Sequence, residues 1–138
     1  MTKPLLSVEN LGVNFSHSGK IIEAVKSVSF TLNPRETVAL VGESGSGKSV
    51  TALSILQLLP YPKASHPSGH VYFKEKDLVG ARENDLRMIR GNKISMVFQE
   101  PMTSLNPLHN VEKQITEVLQ VHKGLSGQPA RKRCLEVL

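Results

Sequence analysis

Residues 42 to 49 limit the folds open to this chain more than any other feature. The run Gly42-Glu43-Ser44-Gly45-Ser46-Gly47-Lys48-Ser49 satisfies the pattern G-x-x-x-x-G-K-[S/T] at every defined position. An apolar stretch at 37–41 precedes the run, and residues 49–59 follow it with apolar side chains at helical spacing. A buried strand, a glycine-rich loop and a helix in direct succession are the setting of a phosphate-binding loop. The sequence therefore predicts an α/β fold built on such a core.

The residue types in this loop suit a nucleoside triphosphate. Glycines allow successive backbone N–H groups to turn inward around a phosphate, at a helix N-terminus that already carries about half a positive charge. Lys48 adds a full charge that can reach the β- and γ-phosphates, and the Ser49 hydroxyl is an oxygen ligand suited to Mg²⁺. The alternative, a glycine-rich turn with an incidental lysine, is disfavoured because the whole pattern matches in the right context.

Alternating and helical hydrophobic patterns predict the remaining elements. Two antiparallel strands are expected first, joined by a turn at 16–19, and Asn33-Pro34-Arg35-Glu36 has proline where a type I turn favours it. Of the later strands, 37–41 and 93–98 are expected to be buried and 70–73 to be short, and the last helix runs to Leu138 without a polar stop. The expected strands are 5–15, 21–32, 37–41, 70–73 and 93–98, and the expected helices are 49–59, 83–90, 111–122 and one starting near Pro129.

A second candidate site residue, Gln99, follows the apolar stretch 93–98. Ligands of open α/β sheets bind at the C-terminal ends of the strands, where this glutamine would lie. Its amide oxygen can bind a water or Mg²⁺ while its NH₂ group donates elsewhere. A glutamine that merely faces solvent is the alternative, which the nearby phosphate loop makes less attractive.

These motifs together resemble the ATP-binding subunits of ABC transporters. The resemblance rests on Val41 to Ser49, on Phe98-Gln99-Glu100-Pro101-Met102-Thr103-Ser104-Leu105-Asn106-Pro107, and on the antiparallel strands before them. It is narrowest to the oligopeptide, dipeptide and nickel importer branch, and to tandem ATPases of the microcin C and peptide importer type. It covers the whole chain, which corresponds to the N-terminal part of one ATPase domain.

The resemblance implies a partial P-loop NTPase core with an antiparallel β subdomain and the start of a helical subdomain. It divides the chain into an antiparallel hairpin region (1–36), a strand, P-loop and helix (37–60), strands and the Q-loop (61–107), and the start of the helical subdomain (108–138). Gly42 to Ser49 would be the Walker A loop. Gln99 would be the Q-loop glutamine, which senses the γ-phosphate and Mg²⁺ and couples to the membrane subunits.

The same resemblance implies cofactors and partners. ATP and Mg²⁺ are expected, with Phe15 stacked on adenine, although a phenylalanine is also common in a protein core. Lys48 and Gln99 are the candidate catalytic residues, and Ser49 and Gln99 the candidate metal ligands. Two ATPs would lie between this domain and a second ATPase domain, in another subunit or in the same chain. Permease subunits would hold the protein at the cytoplasmic face of the inner membrane, where ATP hydrolysis would energise peptide import.

The carboxylates that hydrolysis needs are not evident in the sequence. A carboxylate must position the attacking water and another must hold Mg²⁺. The resemblance implies that both come from an apolar strand that ends in adjacent acids, but no such run follows Gln99. Leu125-Ser126-Gly127-Gln128 is similar to the family signature Leu-Ser-Gly-Gly-Gln but lacks one glycine and comes too soon, so we interpret it as a loop between helices. Residues 1–138 alone are therefore expected to bind nucleotide without turnover.

Composition excludes several other classes. The 39% hydrophobic content fits a globular domain, and the single cysteine, expected to be buried, precludes an intramolecular disulfide. No stretch is long and apolar enough for a membrane span or a signal peptide. The net charge of +5 is compatible with an alternative function, that of a soluble ABC-type ATPase acting on nucleic acid. The positive residues are spread along the chain apart from the run 131–133, and few aromatic residues are available for base stacking, so no nucleic acid is expected as a partner.

Overall fold

The computed structural model describes residues 3–100 and 105–138. The chain divides into two compact units, Met1–Leu86 and Arg87–Leu138. Within the described residues, no helix is long and apolar enough to cross a membrane. The first unit holds the sheet and the phosphate loop, and the second is mainly helical.

A long antiparallel hairpin forms the centre of the first unit. Strand β1 (Leu6–His17) pairs with strand β2 (Lys20–Leu32), so the two strands predicted here are present. The connection is the pair Ser18 and Gly19, with φ values of 49° and 76°. Two consecutive positive φ angles identify a type I′ turn, whose twist matches that of the flanking strands.

Three shorter strands complete the five-stranded sheet. Strand β3 (Ala64–Ser65) pairs antiparallel with the end of β1, and strand β4 (His70–Phe73) pairs with its beginning. Strand β5 (Lys76–Asp77) pairs with β4, which gives the order β2-β1-β4-β5 with β3 also on β1. The prediction of a strand at 70–73 is confirmed, whereas β3 lies in a segment predicted to be a loop.

Helix α1 (Lys48–Ile55) follows the phosphate loop and packs on β1 and β2. It ends four residues earlier than predicted, because Gln57 adopts a left-handed φ of 52°. The core of this unit includes apolar residues from the strands, from the chain after α1 and from the segment after β5. Its most deeply buried apolar side chains are Val8, Leu11, Val13, Val71 and Leu78.

Two predicted buried strands do not form. Residues 37–41 and 95–98 belong to no strand in the structure, and Val41 and Val97 are 89% and 96% exposed. The only pairing near the second segment is an isolated parallel bridge between Arg90 and Ile94 among the described residues. A buried parallel strand requires neighbouring strands to which it hydrogen-bonds and helices packed on both faces of its sheet. No described strand pairs with either segment. Both strand predictions are wrong for this structure.

The turn after β2 also differs from the prediction. The Glu36 N–H donates to the Asn33 carbonyl over 3.2 Å, so the turn exists at the expected place. However, Arg35 has a φ of 64°, which at the third turn position is typical of a type II turn rather than type I. The Glu36 carboxylate accepts from the Asn33 backbone N–H at 2.6 Å and from its side-chain amide at 2.9 Å, which closes the turn.

Helix α2 (Glu83–Ile89) crosses the division between the units. The second unit contains helix α3 (Val111–Lys123) and helix α4 (Gly127–Val137), as predicted. Asn110 caps α3 by accepting from the Lys113 N–H at 2.8 Å, and the left-handed Gly124 ends it. Cys134, 1% exposed, is buried as expected on α4.

Candidate phosphate-binding site

The loop at 42–49 is a compact turn held by its own backbone. The Ser46 N–H donates to the Glu43 carbonyl at 3.2 Å, and Gly45 and Gly47 have φ values of 79° and 89°. Both angles lie in the left-handed region, which glycine adopts without a steric cost. Two of the three glycines in the motif are therefore required by backbone geometry.

Gly47 also brings the loop against the sheet. A Cβ at this position would lie 2.7 Å from the carbonyl oxygen of Ala24 and 3.0 Å from a methyl group of Val25, both on β2. Gly42 is similarly close to its surroundings, with a Cβ position 2.8 Å from Ser46 Oγ. The loop therefore approaches backbone and side-chain atoms too closely for residues larger than glycine, and β2 acts as its support.

Lys48 folds back over the loop that precedes it. Its ammonium group donates to the carbonyl of Gly42 at 2.7 Å, to the carbonyl of Glu43 at 2.5 Å and to Ser46 Oγ at 3.1 Å. The positive charge is thus held at the loop itself, where an incoming phosphate would meet it. Because the loop is otherwise exposed, a phosphate can reach this charge from solvent.

The N-terminus of α1 supplies further donors. Gly47 is its N-cap residue and contributes no side-chain cap, so the first backbone N–H groups, which have no partner within a helix, are available to a ligand. The carbonyl of Gly47 accepts from the Thr51 backbone N–H at 2.8 Å and from Thr51 Oγ1 at 2.9 Å, which secures the first turn. Ser49 is exposed in this turn. The residues present fit a phosphate group with Mg²⁺ beside it.

Phe15 lies on β1 near the tip of the hairpin. It is half-buried and pairs in register with Ile22 on β2. Ile22 is two residues from Ala24, which corresponds to about 7 Å along a strand, and Ala24 is the residue that Gly47 approaches. The hairpin thus places Phe15 on the strand pair that supports the phosphate loop. Adenine stacking by Phe15 stays a prediction.

Gln99 belongs to the second unit and lies in a bend, exposed to solvent. The strand that was expected to present it does not form, so its predicted position at the end of a buried strand is not seen. Residues 101–104, part of the quoted Q-loop segment, lie outside the described residues. The roles of Gln99 in metal binding and coupling stay predictions.

The described residues contain no cluster of three or more His, Cys, Asp or Glu side chains suited to a metal ion. In the 125–128 segment, Leu125 and Ser126 connect α3 to α4, and Gly127 and Gln128 begin α4. The interpretation as a loop between helices is therefore confirmed for Leu125 and Ser126 only, because Gly127 and Gln128 belong to α4. The supporting role of Ala24 and Val25 was not predicted, because nothing in their own sequence distinguishes them from other strand residues.

Comparison with known proteins gives consistent matches. The family described as ABC transporter matches residues 25–137. The chain is 61% identical, over 99% of its length, to the peptidoglycan transport ATP-binding protein YejF of Agrobacterium fabrum. It is 47% identical, over 97% of its length, to the oligopeptide transport ATP-binding protein OppD of Bacillus subtilis. The chain spans 25% of the first relative's length and 37% of the second's.

Solved structures agree with the sequence comparisons. A dimeric structure of MJ0796, a bacterial ABC transporter cassette, matches with a TM-score of 0.78 at 30% identity. A second dimeric structure of the same cassette, in a post-hydrolysis state bound to ADP and Pi, matches with a TM-score of 0.74 at 28% identity. Each match covers 95% of this chain and 54% of the solved one.

Proposed function

The chain belongs to the ABC transporter family, and from this we propose that its protein binds ATP and Mg²⁺ at residues 42–49 and uses ATP hydrolysis to drive the import of peptides or a related small substrate. The transport part of this proposal is supported by relatives named for peptidoglycan, peptide and oligopeptide transport. The ATP-binding part is supported by the loop itself and by the related cassette that holds ADP and Pi.

The observation that carries the proposal is the position of Lys48. Its ammonium group lies over the loop, within 3.1 Å of three loop oxygens, beside the free N–H groups at the start of α1. The Lys48 ammonium group already makes charge-assisted hydrogen bonds to neutral oxygens, and a polyphosphate offers several negative charges. Exchanging the neutral oxygens for phosphate oxygens adds the attraction between opposite charges and therefore favours binding.

Other residues have proposed supporting roles. Ser49 would give its hydroxyl to Mg²⁺, which bridges the β- and γ-phosphates and neutralises charge that develops during phosphoryl transfer. Phe15 would stack on adenine, a contact that contributes on the order of 1–3 kcal/mol. Gln99 would contact the Mg²⁺ and γ-phosphate centre and couple it to membrane subunits.

The proposed setting is a membrane-bound complex. Permease subunits would hold the protein at the cytoplasmic face of the inner membrane, and a second ATPase domain would face this one, as the dimeric cassettes suggest by analogy. Hydrolysis would require carboxylates that residues 1–138 do not supply in recognisable form. We therefore expect the isolated chain to release no phosphate above buffer background.

Lys48→Ala in the full-length protein tests the binding site. The variant removes the charge-assisted contacts and should weaken binding of a fluorescent ATP analogue by more than tenfold, since hydrogen bonds to charged groups contribute about 1.5–3 kcal/mol. Lys63→Ala, an exposed lysine after α1, is the matched control and should bind normally. Equal affinity in Lys48→Ala and wild type would refute the proposed site.

Gln99→Ala tests the proposed division between binding and coupling. Loss of one neutral hydrogen bond costs about 0.5–1.5 kcal/mol, so nucleotide affinity should fall by at most about tenfold, less than in Lys48→Ala. Substrate-stimulated hydrolysis by the reconstituted transporter should fall more strongly. An affinity loss as large as that of Lys48→Ala would show that Gln99 is mainly a binding residue.

A further inference from the structure

Three polar side chains meet at the C-terminal end of α1, remote along the helix from the phosphate loop. Tyr61 Oη lies 2.6 Å from His66 Nε2 and 3.2 Å from Gln57 Oε1, and Gln57 Nε2 lies 3.4 Å from the same histidine nitrogen. We call Gln57, Tyr61 and His66 the His66 cluster. It joins the end of α1 to the segment between β3 and β4, and nothing in the proposed ATP chemistry uses it.

The hydrogen bonds of the cluster select one protonation state of His66. Gln57 Nε2 donates to the Ser54 carbonyl at 2.6 Å, which fixes the orientation of the amide and turns its NH₂ group toward His66. His66 Nε2 therefore faces this amide as a donor, and the Tyr61 hydroxyl has one proton, which it donates either to His66 Nε2 or to Gln57 Oε1. A neutral imidazole with a lone pair on Nε2 accepts from the amide and, in the first arrangement, from the hydroxyl, whereas a protonated ring places an N–H against the fixed amide donor.

The surroundings of the ring favour the same state. His66 is partly buried, and burial lowers its pKa, with a smaller opposing effect from the Gly12 backbone on β1. The groups that lie against the ring include the Gln57 amide, the Tyr61 hydroxyl and the Gly12 backbone, none of which is a carboxylate. Lys63, the nearest cationic residue along the chain, is exposed.

We propose that the His66 cluster is a proton-sensitive latch that positions α1, and that protonation of His66 releases the latch and weakens phosphate binding at the other end of the helix. This inference rests on the proposed function. Protonation would turn the Tyr61 hydroxyl away from His66 toward Gln57 Oε1 and disturb the Gln57 bond to the Ser54 carbonyl. Helix α1 has only eight residues, which corresponds to about 12 Å, and short helices depend on their packing contacts for stability. Loss of the hydrogen bonds at its C-terminal end should therefore also displace the N–H donors at its N-terminus.

The sign of the pH effect follows from linkage. A histidine whose pKa is lowered by folding binds more protons in the unfolded state, so stability rises with pH through this range. The contribution is fully present above the unfolded-state pKa of about 6.5, and it is lost as the pH falls from there toward the folded-state pKa. The latch is therefore closed at neutral pH and opens as the pH falls through the folded-state pKa of His66, which lies below its ordinary value.

A measurement on the wild-type protein tests the latch without nucleotide. Histidine ring NMR signals of the full-length protein, with His66 assigned by comparison with His66→Gln, should show His66 titrating below pH 6.5. In Tyr61→Phe the same signal should titrate at higher pH, because the donor to Nε2 is gone, whereas Tyr72→Phe should leave it unchanged. A His66 midpoint at or above 6.5, or no response to Tyr61→Phe, would overturn the proposal.

Nucleotide binding tests the coupling to the phosphate loop. Between pH 7.5 and a pH below the His66 midpoint found by NMR, wild type should lose about two- to tenfold more affinity for a fluorescent ATP analogue than His66→Gln, the change expected for one neutral hydrogen bond. Dividing the affinity change of wild type by that of His66→Gln cancels the effect of the titration of the nucleotide itself. His70→Gln, an exposed histidine bonded to Asp77, is the control and should behave as wild type.

The possible outcomes separate the two proposals. Failure of wild type to bind the analogue at pH 7.5 would refute the proposed ATP site and leave the NMR titration as the test of the latch. Normal binding with the same pH dependence in wild type and His66→Gln would refute the coupling and leave the ATP site standing. If His66→Gln does not fold, Tyr61→Phe serves in the binding test, with Tyr72→Phe as its control.

Discussion

Gly47→Ala should destabilise the protein more than Gly45→Ala, although both glycines lie in one loop with similar backbone angles. Gly45 and Gly47 have φ values of 79° and 89°, so an alanine at either position should lower the free energy of unfolding by about 1–2 kcal/mol, the cost of a left-handed backbone. Only at Gly47 does the new Cβ meet other atoms, at 2.7 Å from the Ala24 carbonyl oxygen, whereas nothing lies within 4 Å at Gly45. Forcing the loop away from β2 should cost about 1–3 kcal/mol more, the usual cost of overpacking.

Urea unfolding of both variants in the full-length protein measures this difference. With a typical slope of about 1–3 kcal/mol per M, the Gly47→Ala midpoint should lie roughly 1 M below that of Gly45→Ala in the transition that includes this unit. Gly47→Ala should also weaken nucleotide binding, because the N–H groups at the start of α1 move with the loop. Equal midpoints for the two variants would refute the idea that β2 supports the loop.

Two further predictions concern stability alone. Gly69 has a φ of 85° and its Cβ would overlap the carbonyl group of Asn10, whereas Gly80, with a φ of 71°, has open space; Gly69→Ala should therefore lower the thermal midpoint by several degrees more than Gly80→Ala, and the reverse order would contradict the geometry. Asn110→Ala removes the cap that accepts from the Lys113 N–H and should cost about 0.5–2 kcal/mol in urea unfolding; an unchanged urea midpoint would contradict the assigned cap.

Much of the secondary structure could be predicted because the sequence patterns that specify it are local. The hairpin β1–β2 has alternating strands around a turn with glycine at its second position, and the structure forms it with a type I′ turn at Ser18 and Gly19. The phosphate loop is similar, since the Lys48 ammonium group bonds to Gly42, Glu43 and Ser46 of the same loop. The helices α2, α3 and α4 were recognisable from their periodicity. Such elements contain most of the interactions that stabilise them.

The predictions that were wrong depended on distant neighbours. Residues 37–41 and 93–98 have the apolar composition of buried parallel strands, but composition says only that burial is favourable and not which strands provide it. Val41 and Val97 remain almost fully exposed, because a parallel strand needs ladders and helices that no described residue supplies to them. The shorter α1 has a different cause, since the left-handed backbone at Gln57 leaves no trace in the hydrophobic pattern.

The same distinction between local and distant contacts separates the phosphate loop from Gln99. The phosphate-binding half needs only a loop, one lysine and a helix N-terminus, all of which residues 42–51 supply by contacts within their own segment and with β2. Gln99 needs a formed strand to hold its amide at a fixed place, and here it lies exposed in a bend. Phosphate affinity should therefore depend on the loop together with α1 and β2, which hold it in place, whereas any role of Gln99 should depend on the interactions that order residues 93–98. A sequence motif predicts chemistry most reliably where the geometry that the chemistry needs is also encoded within the motif.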